Sequence, residues 1–184
     1  MSTKIIVTTS RRPSPRSRSL VKDLLSVLPH AVRITRGHTS LEELARMALA
    51  VGASRVVILA ERKGNPGLLR VYEPITNPLA LKDLSTFIIR GVKLAREAGT
   101  RSSIKPKLLY VVSDGSEISD HVAEEFVRSF YAKIFLGRTP SGAVLARITS
   151  LSDNLCFVRF FYKENQIGPE LKLSKPRQVA KNLS

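Results

Sequence analysis

Apolar positions recur along the chain with two periods. Ile5-Ile6-Val7 and Val56-Val57-Ile58-Leu59-Ala60 are short continuous runs, which predict buried strands over Lys4–Thr9 and Arg55–Glu61. Between them, Leu20, Val21, Leu24, Leu25 and Leu28 fall on one helical face and predict a helix over Ser17–Leu28, stopped by Pro29. Ala31–Thr35 reads as a second strand. Leu41, Leu44, Ala45, Ala48 and Leu49 predict an inward-facing helix to about Val51, capped by Thr39 or Ser40 and closed by Gly52. Arg62-Lys63-Gly64-Asn65-Pro66-Gly67 is turn-forming and leads into an antiparallel strand, Leu68–Glu73.

The pattern weakens in the middle. Asn77–Ser85 reads as loop, Thr86–Leu94 as strand on its Thr-Phe-Ile-Ile run, and Ala98–Pro106 as a polar linker. A new strand then starts at Lys107. Val122, Phe126, Val127 and Phe130 predict a helix over Ser119–Ala132, with Ser119 to Asp120 as the cap. Ala143–Ser150 and Leu155–Lys163 predict a hairpin around Ser152-Asp153-Asn154, and Leu171–Leu173 a weak strand. Alternating strands and helices predict α/β layers.

Two stretches match. Lys4-Ile5-Ile6-Val7-Thr8-Thr9-Ser10 and Lys107-Leu108-Leu109-Tyr110-Val111-Val112-Ser113 share Lys, five mostly apolar residues and Ser, and each precedes a loop and a helix. The expected organisation is one domain, residues 1–184, made of two similar α/β halves (1–95 and 96–184) from an internal duplication. The loops have diverged. The first is Arg11-Arg12-Pro13-Ser14-Pro15-Arg16-Ser17-Arg18; its counterpart, Asp114-Gly115-Ser116-Glu117, is short and acidic.

Charge gives that divergence a meaning. Thirty Lys and Arg against 15 Asp and Glu leave a net charge of +15. Residues 1–40 carry eight basic residues and a single acid, Asp23. So uneven an excess points to a polyanion, nucleic acid above all. No run of about 18 apolar residues is present, no signal-peptide pattern opens the chain, and the single cysteine, Cys156, excludes an internal disulfide. The expectation is a soluble cytoplasmic protein with no membrane partner.

Catalytic constellations are missing. His30, His38 and His121 are isolated, and nothing has metal-ligand spacing. Glu42-Glu43 and Glu124-Glu125 read as solvated helix faces. Gly64-Asn65-Pro66-Gly67 lacks the phosphate-loop pattern, and Cys156 reads as a packing residue. No cofactor, metal or enzymatic role is expected. Phe157, Phe160, Phe161 and Tyr162 share one strand pattern, so alternate members face opposite ways. They are read chiefly as core, with one face open to RNA stacking or a protein partner as the alternative.

The candidate site is the first strand-to-helix turn. Arg11, Arg12, Arg16 and Arg18 lie where unpaired helix N–H groups and a strand's carboxyl end favour anions. Arginine grips phosphate with two parallel donors. Pro13 and Pro15 restrict the loop, and Ser10, Ser14 and Ser17 add donors for phosphate or ribose. Ser14 also sits in a kinase-type Arg-Arg-Pro-Ser-Pro context. Arg33 and Arg36 at the second strand's end, and Arg62 and Lys63 at the third's, are grouped with the loop because strand-end loops of one sheet can converge. Lys172, Lys175 and Arg177 are read as a C-terminal tail and form the natural comparison set.

The block Ile6-Val7-Thr8-Thr9-Ser10-Arg11-Arg12-Pro13-Ser14, followed by Arg16, Arg18 and Lys22, resembles the opening of Brix-domain proteins. So do Arg36-Gly37, Lys63-Gly64-Asn65-Pro66 and Gln166-Ile167-Gly168-Pro169, in order across nearly the whole chain. The likeness is to the small-subunit rRNA-processing branch and to short archaeal members. It implies an rRNA-binding ribosome-assembly factor, cytoplasmic in archaea or nucleolar in a eukaryote. Its partners would be precursor rRNA and other assembly proteins, with Lys22 among the RNA contacts. It also implies two α/β halves related to the anticodon-binding domain of class II aminoacyl-tRNA synthetases. Many members follow Ile-Gly-Pro with Arg; here Glu170 stands there. The competing readings are an α/β enzyme acting on an anionic or nucleotide substrate, and a tRNA-binding module.

Overall fold

The computed structural model describes the backbone of residues 4–178 and side chains through Lys175. The first half runs β1 (Lys4–Thr9), α1 (Pro15–Leu25), β2 (Ala31–Arg33), α2 (Leu41–Ala50), β3 (Ala53–Arg62), β4 (Asn65–Thr76) and β5 (Leu79–Lys93). A short α3 (Ala95–Ala98) follows. The second half is β6 (Leu108–Ser113), α4 (Glu117–Phe130), β7 (Lys133–Ile134), β8 (Ala143–Ser152), β9 (Leu155–Tyr162) and β10 (Asn165–Gln178).

All ten strands join one mixed sheet in the order β2-β1-β3-β4-β5-β10-β9-β8-β6-β7. β1 pairs in parallel with β2 and β3, and β6 in parallel with β7 and β8; the remaining pairs are antiparallel. The order therefore reads alike from both edges, with β1 and β6, β2 and β7, and so on inward to β5 and β10 in matching places.

α1 and α4 each follow the first strand of their half and cover the same face of the sheet. Ile5, Val7, Leu20 and Leu24 from one half share a core with Leu109, Val111, Val122 and Phe126 from the other. Phe87, fully buried on β5, joins them: its ring lies 5.4 Å from that of Phe126 and 5.7 Å from that of Phe130. Burial of so many large side chains in one continuous layer is what holds the halves together. Among the described residues, α2 is the helix that covers the opposite face, through Leu44 and Ala48 on Ile6, Val56, Ile58 and Tyr72. Between β7 and β8, residues 135–142 contain no helix, so the second half has no counterpart of α2.

Several expectations are corrected. Asn77–Ser85 is not a loop: β5 starts at Leu79, and Ala80 to Asp83 pair with Ile75 to Tyr72 on β4. Leu81 packs against the α2 cluster, whereas Lys82 and Asp83 are exposed, so apolar alternation fades while the ladder continues. Leu171–Leu173 belongs to β10, a central strand paired on both sides. Its pattern is broken by Gly168-Pro169, where the register shifts between Ile167 and Glu170. Lys172 thus lies within the sheet, not in a tail; the Arg177 side chain is outside the described residues. α1 begins at Pro15, in the first helical position, and α4 is capped by Ser116 rather than Ser119. Ser40 caps α2 in a capping box with Glu43. Leu41 and Val127 face solvent. Glu125 is 1% exposed, not solvated, with Arg128 at 3.6 Å. Cys156 is buried in the core.

Candidate nucleic-acid interface

The β1–α1 turn is built on an acid from another strand. Glu61, near the end of β3, accepts from the Ser14 N–H at 2.6 Å and from the Ser17 hydroxyl at 2.5 Å. Ser14 in turn caps α1 by accepting from the Ser17 N–H at 3.2 Å. Burial works against the Glu61 charge, but the Ser14 and Ser17 hydrogen bonds outweigh it and hold the carboxyl below its ordinary value. Ser17 is fully buried. Its hydroxyl is committed to Glu61, and the expectation that it donates to a ligand is corrected.

Arg16 is also committed. Its guanidinium makes a two-pronged pair with Glu97 on α3 (2.5 and 3.0 Å) and donates to the Val92 carbonyl at 2.8 Å. The expectation that Arg16 is held for phosphate is corrected: its guanidinium is occupied within the fold.

The remaining cations separate into three places. Arg11 and Arg18 meet Arg33 and Arg36 around a cleft of about 170 Å³ at the carboxyl ends of β1 and β2, whose lining includes Thr8, Thr9 and Gly37 and no acid. Burial first, and the adjacent Arg11 second, lower the pKa of the Arg36 guanidinium. Arg62 and Lys63 lie elsewhere, beside Arg16 and Arg90 along an open groove of about 600 Å³. They are carried there by a two-residue hairpin turn, Lys63-Gly64, with both residues at positive φ, which holds Arg62 opposite Asn65. Lys22, a turn further along α1, borders a third depression with Arg96 and Arg101. There Asp23 accepts from the Ala95 N–H at 2.8 Å. Arg12 is exposed in the loop. A single convergent site of all nine residues is therefore corrected to one cationic cleft and two outlying groups.

The counterpart turn in the second half is tied together by its own exposed acid. Asp114 accepts from the Ser116 hydroxyl at 2.7 Å and from the Ser150 N–H at 2.6 Å, which keeps it ionised far below the usual carboxylate range. That turn is closed by its own hydrogen bonds, whereas the first leaves guanidinium groups facing solvent. Among the described residues, no three His, Cys, Asp or Glu side chains are placed to hold a metal ion. None of the helices there is long and apolar enough to cross a membrane.

No family model matches the chain. A probable Brix domain-containing ribosomal biogenesis protein of Aeropyrum pernix is 42% identical over 179 residues, covering 95% of this chain and 97% of the relative. The chain belongs to the Brix-domain family. A second relative of the same description, from Methanopyrus kandleri, is 30% identical over 90% of each chain. Among solved structures, a probable ribosomal biogenesis protein from Aeropyrum pernix superposes with a TM-score of 0.87 at 42% identity, over 97% of this chain and 99% of the other. An archaeal Imp4-like protein shares the fold at 19% identity, with a TM-score of 0.68 over 95% and 99% of the two chains.

In this Brix-domain protein the Ile-Gly-Pro segment is a joint between the halves. Gly168, at φ +66°, donates its N–H to the Thr100 carbonyl at 2.8 Å and accepts from the Thr100 hydroxyl at 2.6 Å. A Cβ there would lie 2.4 Å from Val27 Cγ1. Glu170, which follows, forms an ion pair with Arg159 on β9. Neither role is visible in local sequence, because each partner is distant along the chain.

Proposed function

We propose that this Brix-domain protein acts in ribosome biogenesis by binding precursor rRNA, without turnover of its own. The observation that carries this reading is the cleft where Arg11, Arg18, Arg33 and Arg36 converge at strand ends with no acid among them. Four like charges held together repel, and a polyanion relieves that repulsion while releasing its counterions. Relatives described as ribosomal biogenesis proteins support the choice of RNA. The mirror strand order supports the further reading that the halves arose by duplication, as does the Lys4–Ser10 and Lys107–Ser113 match. The divergence between Asp114 and the arginine loop supports RNA contact at the first half's turn. Other assembly proteins are the expected neighbours on the RNA.

Crosslinking the protein to RNA in its own cells and sequencing the bound fragments tests this. Fragments should concentrate in precursor rRNA, and purified protein should neither cleave them nor hydrolyse nucleotides. Enrichment of tRNA instead would favour the tRNA-binding reading. Nucleotide or RNA turnover abolished by Arg11→Ala would favour the enzyme reading.

A further inference from the structure

Among the described residues, the second half leaves one sheet face without a helix, and that face is neither plain core nor plain solvent surface. On β9, Cys156, Val158 and Phe160 point into the core, so Phe157, Arg159 and Phe161 point the other way. On β8, Val144, Ala146 and Ile148 are core, which puts Arg147 on the same open face. On β10, Leu171 and Leu173 are core, which places Glu170 and Lys172 there too.

Register brings these side chains into rows. Arg147 lies directly opposite Arg159, and Arg159 opposite Glu170; Phe157 lies opposite Lys172. The Arg147 guanidinium sits over the Phe161 ring, 4.4 Å from its centre, and that of Arg159 sits over Phe157 at 4.6 Å. Arginines directly opposite each other across a ladder destabilise it. Glu170 answers Arg159, but among the described residues Arg147 has no ion pair. Lys172 adds another charge in the same patch. Three cations against one acid, interleaved with half-exposed rings, complement a chain that offers both negative charge and flat aromatic surfaces.

We propose that the helix-free face of β8, β9 and β10 is a stacking platform for unpaired RNA nucleotides. Bases stack on arginine planes and aromatic rings, and phosphates meet Lys172 and Arg147. The proposal rests on the RNA-binding reading above and extends it to a second surface, with single-stranded RNA as its ligand. The strand-end arginine cleft would grip backbone of either form, whereas this face would hold only bases free to leave a helix.

The test uses the full chain and two RNAs: an unstructured oligonucleotide of about twelve residues carrying 2-aminopurine, and a duplex of equal length. One variant is Phe157→Leu with Phe161→Leu, which removes the rings but keeps apolar cover. The other is Arg147→Ala, at an exposed position that cannot unfold the core. The double variant should weaken single-strand binding by about 5- to 100-fold and abolish the 2-aminopurine fluorescence change. Arg147→Ala should weaken it by about two- to fivefold. Duplex binding should stay within about twofold, because paired bases offer no free faces. Wild-type single-strand affinity in both variants would overturn the proposal and leave the arginine cleft intact as the RNA site. The same holds if both variants instead lose only a protein partner. Failure of the wild type to bind either RNA would remove the RNA reading as a whole.

Discussion

Arg16 reaches Glu97, 81 residues away, through two guanidinium–carboxylate hydrogen bonds, and so fastens the start of α1 to α3. Both side chains are about one-third exposed, so the pair contributes modestly. Arg16→Ala should cost about 1 kcal/mol and lower the melting temperature by about 2–4 °C. RNA affinity should change by less than about twofold, since the guanidinium is already occupied. A large loss of RNA affinity with unchanged melting would show that Arg16 trades its partner for phosphate.

The cleft arginines should behave in the opposite way. Arg11, Arg18 and Arg36 changed together to Ala should leave melting nearly unchanged. They should flatten the log–log salt dependence of single-strand binding by about two units, at about 0.7 per phosphate contact. The comparison set is Lys105, Lys133 and Arg138, all exposed and away from the cleft. Equal flattening by that set would mean that charge acts diffusely and that the cleft is no site.

Glu61 makes the turn sensitive to acid. Its folded pKa lies below the ordinary 4.5, so between those values the unfolded chain binds the extra proton. The stabilisation is present above about 4.5 and lost as pH falls through the depressed value. Denaturant titrations should show Glu61→Gln less stable at pH 7 by about 1 kcal/mol, and less affected by acidification below 4.5. Identical pH profiles for the two proteins would remove Glu61 from this role.

Gly168→Ala should be the most damaging of these substitutions. The new methyl meets Val27 at 2.4 Å and the backbone must stay at positive φ, which together cost about 2–4 kcal/mol. In a Val27→Ala background the contact is relieved and the penalty should shrink to the backbone part. Urea denaturation of the four proteins in the cycle checks this; a penalty under about 1 kcal/mol in the Val27 protein would mean that the joint adapts.

Some of this was legible along the chain. Runs such as Val56–Leu59 are buried on both faces, and the helical stripe of α1 is buried on one, so local pattern and final environment agree. The repeat at Lys4 and Lys107 anticipated the matching places of β1 and β6. The density of arginine in the first turn was also plain from composition. What sequence could not assign was which cation is free. Arg16 and Arg18 are two residues apart on one helix, yet one is paired with Glu97 and the other borders the cleft. β5 and β10 leave a weak local signal because a strand pattern presumes one regularly apolar face, and exposed Lys82 and Asp83 and the Gly168-Pro169 register shift interrupt theirs. Ion pairs across tens of residues, the uncovered face and the Val27–Gly168 contact arise only when the two halves close on one core. The tertiary structure decided them because Coulomb forces and packing act on distance in space, while the sequence specifies only separation along the chain.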